Sequence, residues 1–221
     1  MDAKITGMGQ LQRSFGIDIP KQVRYATMQA INDCAIAAQK FEIERQLPSK
    51  LTLRSKGSPW WKPGSRFGVN IRPFATRQTM RAVVGSQADW LKLQEQGGTK
   101  SGHGHRLAIE AGARPTENAV MPKALKPRQL LRRAGGITVT KTGKTRMNRK
   151  NGAGFTINTR SGPAIFIRQG DELKLMYMLN PTARVPAILQ FFTSGRDYIN
   201  TIYQQAFDTR FAQAMASANR S

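Results

Sequence analysis

The sequence predicts an α+β fold, with a long N-terminal helix and a C-terminal helix packed on a mixed, mostly antiparallel β-sheet and with extended basic loops or arms. Three observations predict it. Small and apolar residues recur every three to four positions from about 18 to 46 and again from about 195 to 218. Between these segments, residues 163–192 hold two apolar runs that are separated by a turn. The length of 221 residues favours a single domain over 1–221.

The first helix is predicted to begin at Asp18-Ile19-Pro20, where a cap-like residue precedes a proline suited to the first turn. It is predicted to end at Leu47-Pro48-Ser49. One face carries mostly small residues, which allow close approach of another element, so the helix is expected in the core. The positions on this face are Val23, Ala26, Ala30, Cys34, Ala37 and Phe41.

The middle of the chain alternates short elements with basic connections. Period-two patterns predict antiparallel strands at 67–73 and 77–85, and a short helix at 88–96 is stopped by Gly97-Gly98. Residues 97–105 read as a flexible Gly/His loop, and a short strand follows at 106–109. Residues 111–153 read as a basic extended insertion because they combine low hydrophobicity with unopposed charge. Within it we expect a helical turn at 128–133 and a weak hairpin at 137–146.

A β-hairpin is the best-defined element of the second half. Its strands are predicted at 164–167 and 173–179 around a Gly-Asp turn, with Phe166 and Tyr177 in the core. A strand at 154–158 leads into it, and Asn180-Pro181 ends it. A proline-marked connector then delivers the chain into the last helix.

The charge balance indicates an anionic partner. Lys and Arg number 35 against 13 Asp and Glu, which gives a formal net charge of +22. The stretches 46–88 and 118–170 contain no acidic residue. Such a surplus is usually neutralised by a polyanion or an acidic protein, although a charge run is also typical of a solvated face. The residues expected to face DNA or an acidic partner are Lys141, Lys144, Arg146, Arg149 and Lys150.

A second candidate surface is the basic, tryptophan-containing loop or arm at 49–66. Trp60 and Trp61 are adjacent, and Lys62 and Arg66 follow them. Aromatic anchors are favoured at protein interfaces, so these four residues are candidates for a subunit contact. Packing at the edge of the core and stacking on bases are the alternatives.

Catalytic and metal-binding patterns are missing from the sequence. The two histidines, His103 and His105, lie in the glycine-rich loop without a framework of further ligands, and Cys34 is the single cysteine. Neither a phosphate-binding G-x-x-x-x-G-K-[ST] loop nor a G-x-G-x-x-G after a strand is present. We therefore expect no enzymatic activity, no cofactor and no metal. The lack of a long apolar stretch predicts no membrane contact.

The order of the elements is distinctive: the first helix contains Ala30-Ile31-Asn32, a basic middle follows, then the strands around 164–169 and 174–179, and Val185-Pro186 precedes the closing helix. This order resembles that of tailed-phage tail-completion proteins of the minor tail protein Z family, the head-to-tail joining proteins of lambda-like siphophages. The segment 90–99 also resembles the short helix and Gly-Thr loop of related joining proteins. Neither the Trp60-Trp61 arm nor the Gly-His loop matches a part of that pattern.

The resemblance implies a structural virion protein that forms a ring, expected to be a hexamer, at the head-proximal end of the tail. Its implied partners are its own copies, the tail terminator and tail tube proteins, the head–tail connector proteins and phage DNA in the channel. It would lie in the virion at the tail or neck, and in the host cytoplasm during assembly. The composition alone supports an alternative, a basic DNA- or RNA-binding protein without sequence preference.

Overall fold

The computed structural model describes residues 16, 18–54, 58–116, 119–133, 138–139, 145–146 and 154–218, and it has the predicted α+β fold. The described residues fall into two compact units. Unit 1 draws on Met1–Leu51, Pro59–Glu95 and Ile188–Ser221, and unit 2 on Thr52–Ser58 and Gln96–Ala187. The single domain expected over 1–221 stays a prediction.

In chain order the helices are α1 (Ile19–Phe41), α2 (Leu47–Lys50), α3 (Asp89–Gln96), α4 (Pro127–Arg133) and α5 (Phe191–Ala218), with a π-helical turn at Glu42–Gln46 and a 3₁₀ turn at Lys123–Leu125. The strands are β1 (Asn70–Ile71), β2 (Val84–Gly85), β3 (Gly98–Ser101), β4 (Leu107–Glu110), β5 (Thr138–Val139), β6 (Thr145–Arg146), β7 (Gly154–Thr159), β8 (Gly162–Gln169), β9 (Glu172–Asn180) and β10 (Thr182–Val185). All pairings between these strands are antiparallel, so the mixed sheet of the sequence prediction is not observed among the described residues.

Unit 1 is built on the antiparallel packing of α1 against α5. Arg210 forms a bidentate ion pair with Asp33, and the ring of Tyr198 stacks on Phe41 at 4.4 Å between centroids, so position numbers rise along one helix as they fall along the other. Small side chains allow this close approach, as the sequence predicted. The buried residues of α1 are Ala26, Ala30, Cys34, Ala35 and Ala38.

The predicted start of the first helix is confirmed, since α1 begins at Ile19 with Pro20 in its first turn, although the side chain of Asp18 makes no capping hydrogen bond. At the other end the chain does not stop at Leu47-Pro48-Ser49 but continues through the π-helical turn into α2. The Leu47 N–H bonds to the Glu42 carbonyl, five residues back, and Pro48 then lies in the first turn of α2. A proline is tolerated there because its missing N–H would have no helical partner.

Three amide side chains of the first helical segment, spaced seven residues apart, form hydrogen bonds with the backbone of other segments of unit 1. Asn32 exchanges two hydrogen bonds with the backbone of Ala75, at 2.7 and 3.1 Å. Gln39 donates to the Val69 carbonyl, and Gln46 donates to the Leu189 carbonyl, both at 2.7 Å. These bonds position the segment around β1 and the connector before α5. The predicted strands at 67–73 and 77–85 are reduced to the two-residue strands β1 and β2.

Unit 2 contains a four-stranded sheet in the order β4-β9-β8-β7. The predicted hairpin is confirmed as β8 and β9, and Gly170 in its turn has a φ of 61°, which glycine adopts without steric cost. The register between β8 and β9 shifts at a bulge, so that both Met176 and Tyr177 are buried. Tyr177 is in the predicted core, but Phe166 is only half-buried and stacks on Phe155 instead.

Two segments of unit 2 differ from the prediction. The prediction of a Gly/His loop at 97–105 is wrong for the residues that form β3. This strand pairs with β10, which begins directly after Pro181. β3 has no apolar alternation and is exposed throughout, whereas β10 alternates over only four residues, with Ala183 and Val185 half-buried; the backbone pairing reveals the two strands. The insertion at 111–153 is also not extended throughout, because Ala113 and Leu130 lie in the core with Ile165 and Met176. The strand at 154–158, the helical turn at 128–133 and the strand at 106–109 are confirmed as β7, α4 and β4.

Candidate functional site

The predicted interface residues Trp60, Trp61, Lys62 and Arg66 lie on a compact loop before β1, which we call the tryptophan loop (residues 59–69). The sequence allowed a loop or an extended arm, and this part of it is a loop. The Val69 N–H donates to the Trp61 carbonyl at 3.2 Å.

The side chain of Asn70 holds the tryptophan loop in shape. Its Oδ1 accepts from the Gly64 N–H at 2.8 Å, and its Nδ2 donates to the carbonyls of Ser65 at 2.9 Å and Gly68 at 3.1 Å. A Cβ at Gly68 would lie 2.0 Å from the Lys62 carbonyl oxygen, so only glycine fits there. The loop is thus fixed by these hydrogen bonds and, at its end, by the burial of Val69.

Replacing Asn70 by alanine is expected to loosen this loop and to lower the free energy of unfolding by about 1–3 kcal/mol, because three polar backbone groups lose their partner. Urea denaturation monitored by tryptophan fluorescence measures the change. Gln87→Ala, at an exposed position of the same unit, is the matched control and should change nothing. An unchanged Asn70→Ala protein would show that the loop is held by other contacts.

A third tryptophan, which sequence reasoning missed, completes an aromatic cluster. The Trp60 ring lies 4.7 Å from Trp90 of α3 and 5.5 Å from Trp61, in both cases edge to face. Trp90 is nevertheless exposed, and Trp60 and Trp61 are half-buried. Local packing therefore accounts for part of the cluster's surface. The subunit contact expected of Trp60 and Trp61 stays a prediction.

The cations of the tryptophan loop, Lys62 and Arg66, are exposed, and Arg66 borders a groove. Arg66 lies over the ring of Phe67 at 5.3 Å. It shares a groove of about 420 Å³ with Arg72, a residue not singled out from the sequence, and with Ser65, Ser86 and Gln87. None of the described residues that line this groove carries a carboxylate, in keeping with the acid-free stretch 46–88. Its two guanidinium groups and hydroxyls suit an anionic group.

Only one residue of the predicted basic run lies among the residues that the structure describes. Lys141, Lys144, Arg149 and Lys150 lie outside the described residues, and Arg146 is placed only by its backbone in β6, where it pairs with Thr138. This agrees with the weak hairpin expected at 137–146. Contact of these cations with DNA or an acidic protein stays a prediction.

The histidines lie in a tight turn between β3 and β4. The His105 N–H donates to the Gly102 carbonyl at 2.9 Å, and both imidazoles are exposed. In the part of the chain that the structure describes, no three His, Cys, Asp or Glu side chains are placed to hold a metal ion. In the same part, no helix is long and apolar enough to cross a membrane.

A buried carboxyl is the most unusual group of unit 1. Glu42 opens the π-helical turn and is 1% exposed. Its Oε1 accepts a hydrogen bond from the Ser194 hydroxyl at 3.1 Å, whereas Oε2 is buried without a hydrogen-bond partner among the described residues. Gly195 leaves the room for this carboxyl, since a Cβ there would lie 3.3 Å from Oε1.

Glu42 lines a cavity of about 430 Å³ in unit 1, which we call the Glu42 cavity. Its walls are mainly apolar and come from α1, α5 and the segment around β2, and the one other charged side chain among the lining residues is Arg196. They include Ile31, Ala35, Ala38, Val84, Phe191 and Ile199. Glu42 thus carries the one carboxyl among the described residues that line this mainly apolar cavity.

The surroundings of Glu42 raise its pKa, so the carboxyl keeps its proton up to about neutral pH. Burial, which disfavours the charged form, raises its pKa to about 7; the Ser194 hydrogen bond opposes this, and the nearby charge of Glu95 adds to it. Glu95 itself accepts the backbone N–H groups of Phe191 and Phe192, at 2.7 and 3.2 Å, and so caps α5. The two carboxyls thus have different roles: Glu42 is buried in unit 1, and Glu95 caps α5.

The sequence held a signal for Glu42 that the periodicity analysis did not use. Positions 35, 38 and 42 fall on one helical face, and the first two are buried alanines. An acidic residue that continues a face of small residues is expected to be buried, and a buried carboxyl is expected to have a partner or a functional role.

Comparison with protein-family models, with curated proteins and with solved structures found no match for this chain.

Proposed function

We propose that this chain is a structural virion protein of a tailed bacteriophage, a tail-completion or neck protein that forms a ring at the head-proximal end of the tail and joins tail to head around the DNA path. The proposal rests on the resemblance in element order to the minor tail protein Z family and on the exposed apolar surface of unit 1. Its partners would be further copies in a hexameric ring, the tail terminator and tail tube proteins, the connector proteins and DNA in the channel.

The observation that carries the proposal is the set of large apolar side chains that unit 1 leaves exposed. Phe192 is 72% exposed, Ile36 51% and Phe74 47%, and Trp90 and Phe67 are exposed as well. Covering these side chains in an assembly would remove apolar surface from water, which favours association. A chain with a net charge of +22 is kept apart by self-repulsion, so assembly needs such apolar contacts or a neutralising partner.

A second function, sequence-nonspecific binding of DNA or RNA, is favoured by the groove of Arg66 and Arg72. Among the described residues, its lining has no carboxylate. Neutralisation of phosphates by arginine side chains releases counterions, so such binding depends steeply on salt concentration. The two functions differ in whether the free subunit binds duplex DNA tightly. A filter-binding titration across salt separates them, because weak binding by the free subunit favours the ring.

Assembly of the full chain tests the ring directly. Sedimentation velocity and native mass spectrometry are expected to show a closed oligomer, and electron microscopy of virions a matching density at the neck. Phe192→Ser should weaken the oligomer, whereas Leu173→Ser, an exposed leucine of unit 2, should not. A protein that stays monomeric at every concentration, with no density at the neck, would contradict the proposal.

A further inference from the structure

The buried oxygen Oε2 of Glu42 requires a partner that the described residues do not supply. A buried polar atom without a hydrogen bond loses its hydration and gains nothing in return, and such atoms are rare in folded proteins. The π-helical turn that carries it is also a rare element, found frequently at functional sites. Arg196 lines the same cavity but pairs with Asp197, at 3.4 Å, rather than with Glu42.

The walls and the carboxyl together specify the chemistry of an occupant. A purely apolar group would fill the cavity and leave Oε2 unsatisfied, and an acidic group would be repelled by Glu42 and Glu95. An alkyl stem that ends in an ammonium or guanidinium group satisfies both, since the stem packs on the apolar walls and the head donates to the carboxylate. Hydrogen bonds between charged groups are the stronger kind.

We propose that the Glu42 cavity binds the side chain of an exposed lysine or arginine from a second copy of this chain. The Glu42 carboxyl, whose Oε2 is closed off in the free subunit, turns toward the cavity to accept the cationic head. This inference rests on the proposed assembly into a ring. Charge complementarity supports a second copy as the source: the stretch 46–88 has no acidic residue, and it exposes Lys62, Arg66 and Arg72 within the same unit that holds the cavity. A contact between two different patches, repeated from copy to copy, is the kind that closes into a ring.

Insertion of the cation changes the protonation state of Glu42. A protonated Glu42 loses its proton to solvent as the ion pair forms, so association releases a proton and strengthens as pH rises until Glu42 is already ionised in the free subunit. The other charges that face Glu42 are Glu95 from α3, which opposes its ionisation, and Arg196 from α5, which is exposed and paired with Asp197. The Ser194 hydroxyl bonds to the other oxygen of the same carboxyl.

Sedimentation equilibrium of the full chain between about pH 6 and 9 tests the contact. Glu42→Gln is expected to weaken self-association about tenfold or more and to flatten its pH dependence, because a neutral amide cannot form the ion pair. Glu44→Gln, at an exposed position two residues away, is the matched control and should behave as the native chain. Lys62→Gln, Arg66→Gln and Arg72→Gln identify the donor. The substitution that removes the donor should weaken self-association of the native chain but should not weaken that of the Glu42→Gln protein any further.

A small probe separates the cavity from the assembly. n-Butylguanidinium is expected to compete with self-association and, by calorimetry, to bind the native chain but not Glu42→Gln. Assembly that is unchanged by Glu42→Gln overturns the inference and leaves the proposed ring intact, whereas a chain that never assembles overturns both. Probe binding without coupling between Glu42 and any of the three cations also overturns it, and assigns the cavity to a free alkyl cation.

Discussion

Replacing Glu42 by glutamine is expected to stabilise the protein by about 3 kcal/mol above roughly pH 8, and to leave its stability unchanged near pH 4. The folded-state pKa of Glu42 is raised to about 7, against a value of 4.5 without the fold. Between these two values the unfolded chain is ionised while the folded chain keeps its proton, so the free energy of unfolding falls as pH rises. The loss is complete once pH exceeds the folded pKa.

The measurement is urea denaturation of both proteins at several pH values, followed by tryptophan fluorescence. All three tryptophans, Trp60, Trp61 and Trp90, lie in unit 1 with Glu42, so the signal reports on the relevant unit. Glutamine retains an oxygen that accepts from Ser194 and has no charge to bury. Glu44→Gln should follow the native curve, and parallel curves for Glu42→Gln and the native chain would show that Glu42 is not buried in solution.

Shortening Ile165 to alanine is expected to lower the stability of unit 2 by about 3 kcal/mol, because it leaves a cavity in the core of that unit. Ile165 is fully buried and belongs to the cluster that contains Leu130, Met176 and Tyr177. Tyr177 also donates from its hydroxyl to the Leu125 carbonyl at 2.9 Å, so this core joins the hairpin to the segment before α4.

Hydrogen exchange of the backbone amides in β7, β8 and β9 reports on unit 2 separately from the tryptophan signal. Leu173→Ala, on the same hairpin but exposed, is the control and should change exchange little. Equal effects of the two substitutions would show that Ile165 is no more buried than the exposed Leu173.

The α+β class, the two long helices and the hairpin could be predicted because each depends on local pattern. Periodicity near 3.6 identified the α1 face on which Ala26, Ala30 and Cys34 are buried, and a glycine at 170 marked the hairpin turn. Local pattern failed where pairing is purely by backbone, as in β3 with β10. It also failed at Phe166, because successive residues of a strand lie on opposite faces and the core is on the face of its neighbours Ile165 and Ile167.

The candidate site was predicted in part. Adjacent tryptophans and nearby cations are visible in a sequence, so Trp60, Trp61, Lys62 and Arg66 were found. Trp90 and Arg72 were not, because they join this surface through contacts between segments that are far apart in the chain.

By itself, the sequence determined the charge of +22, the acid-free stretches and the amphipathic faces, since these are properties of composition and spacing. Only the tertiary structure decided the environment of Glu42. Its carboxyl is buried because α1 and α5 pack closely over small side chains, and Gly195 and Ser194 come from a segment about 150 residues away. A pKa depends on burial and on neighbouring charges, which the fold supplies and the order of residues does not state.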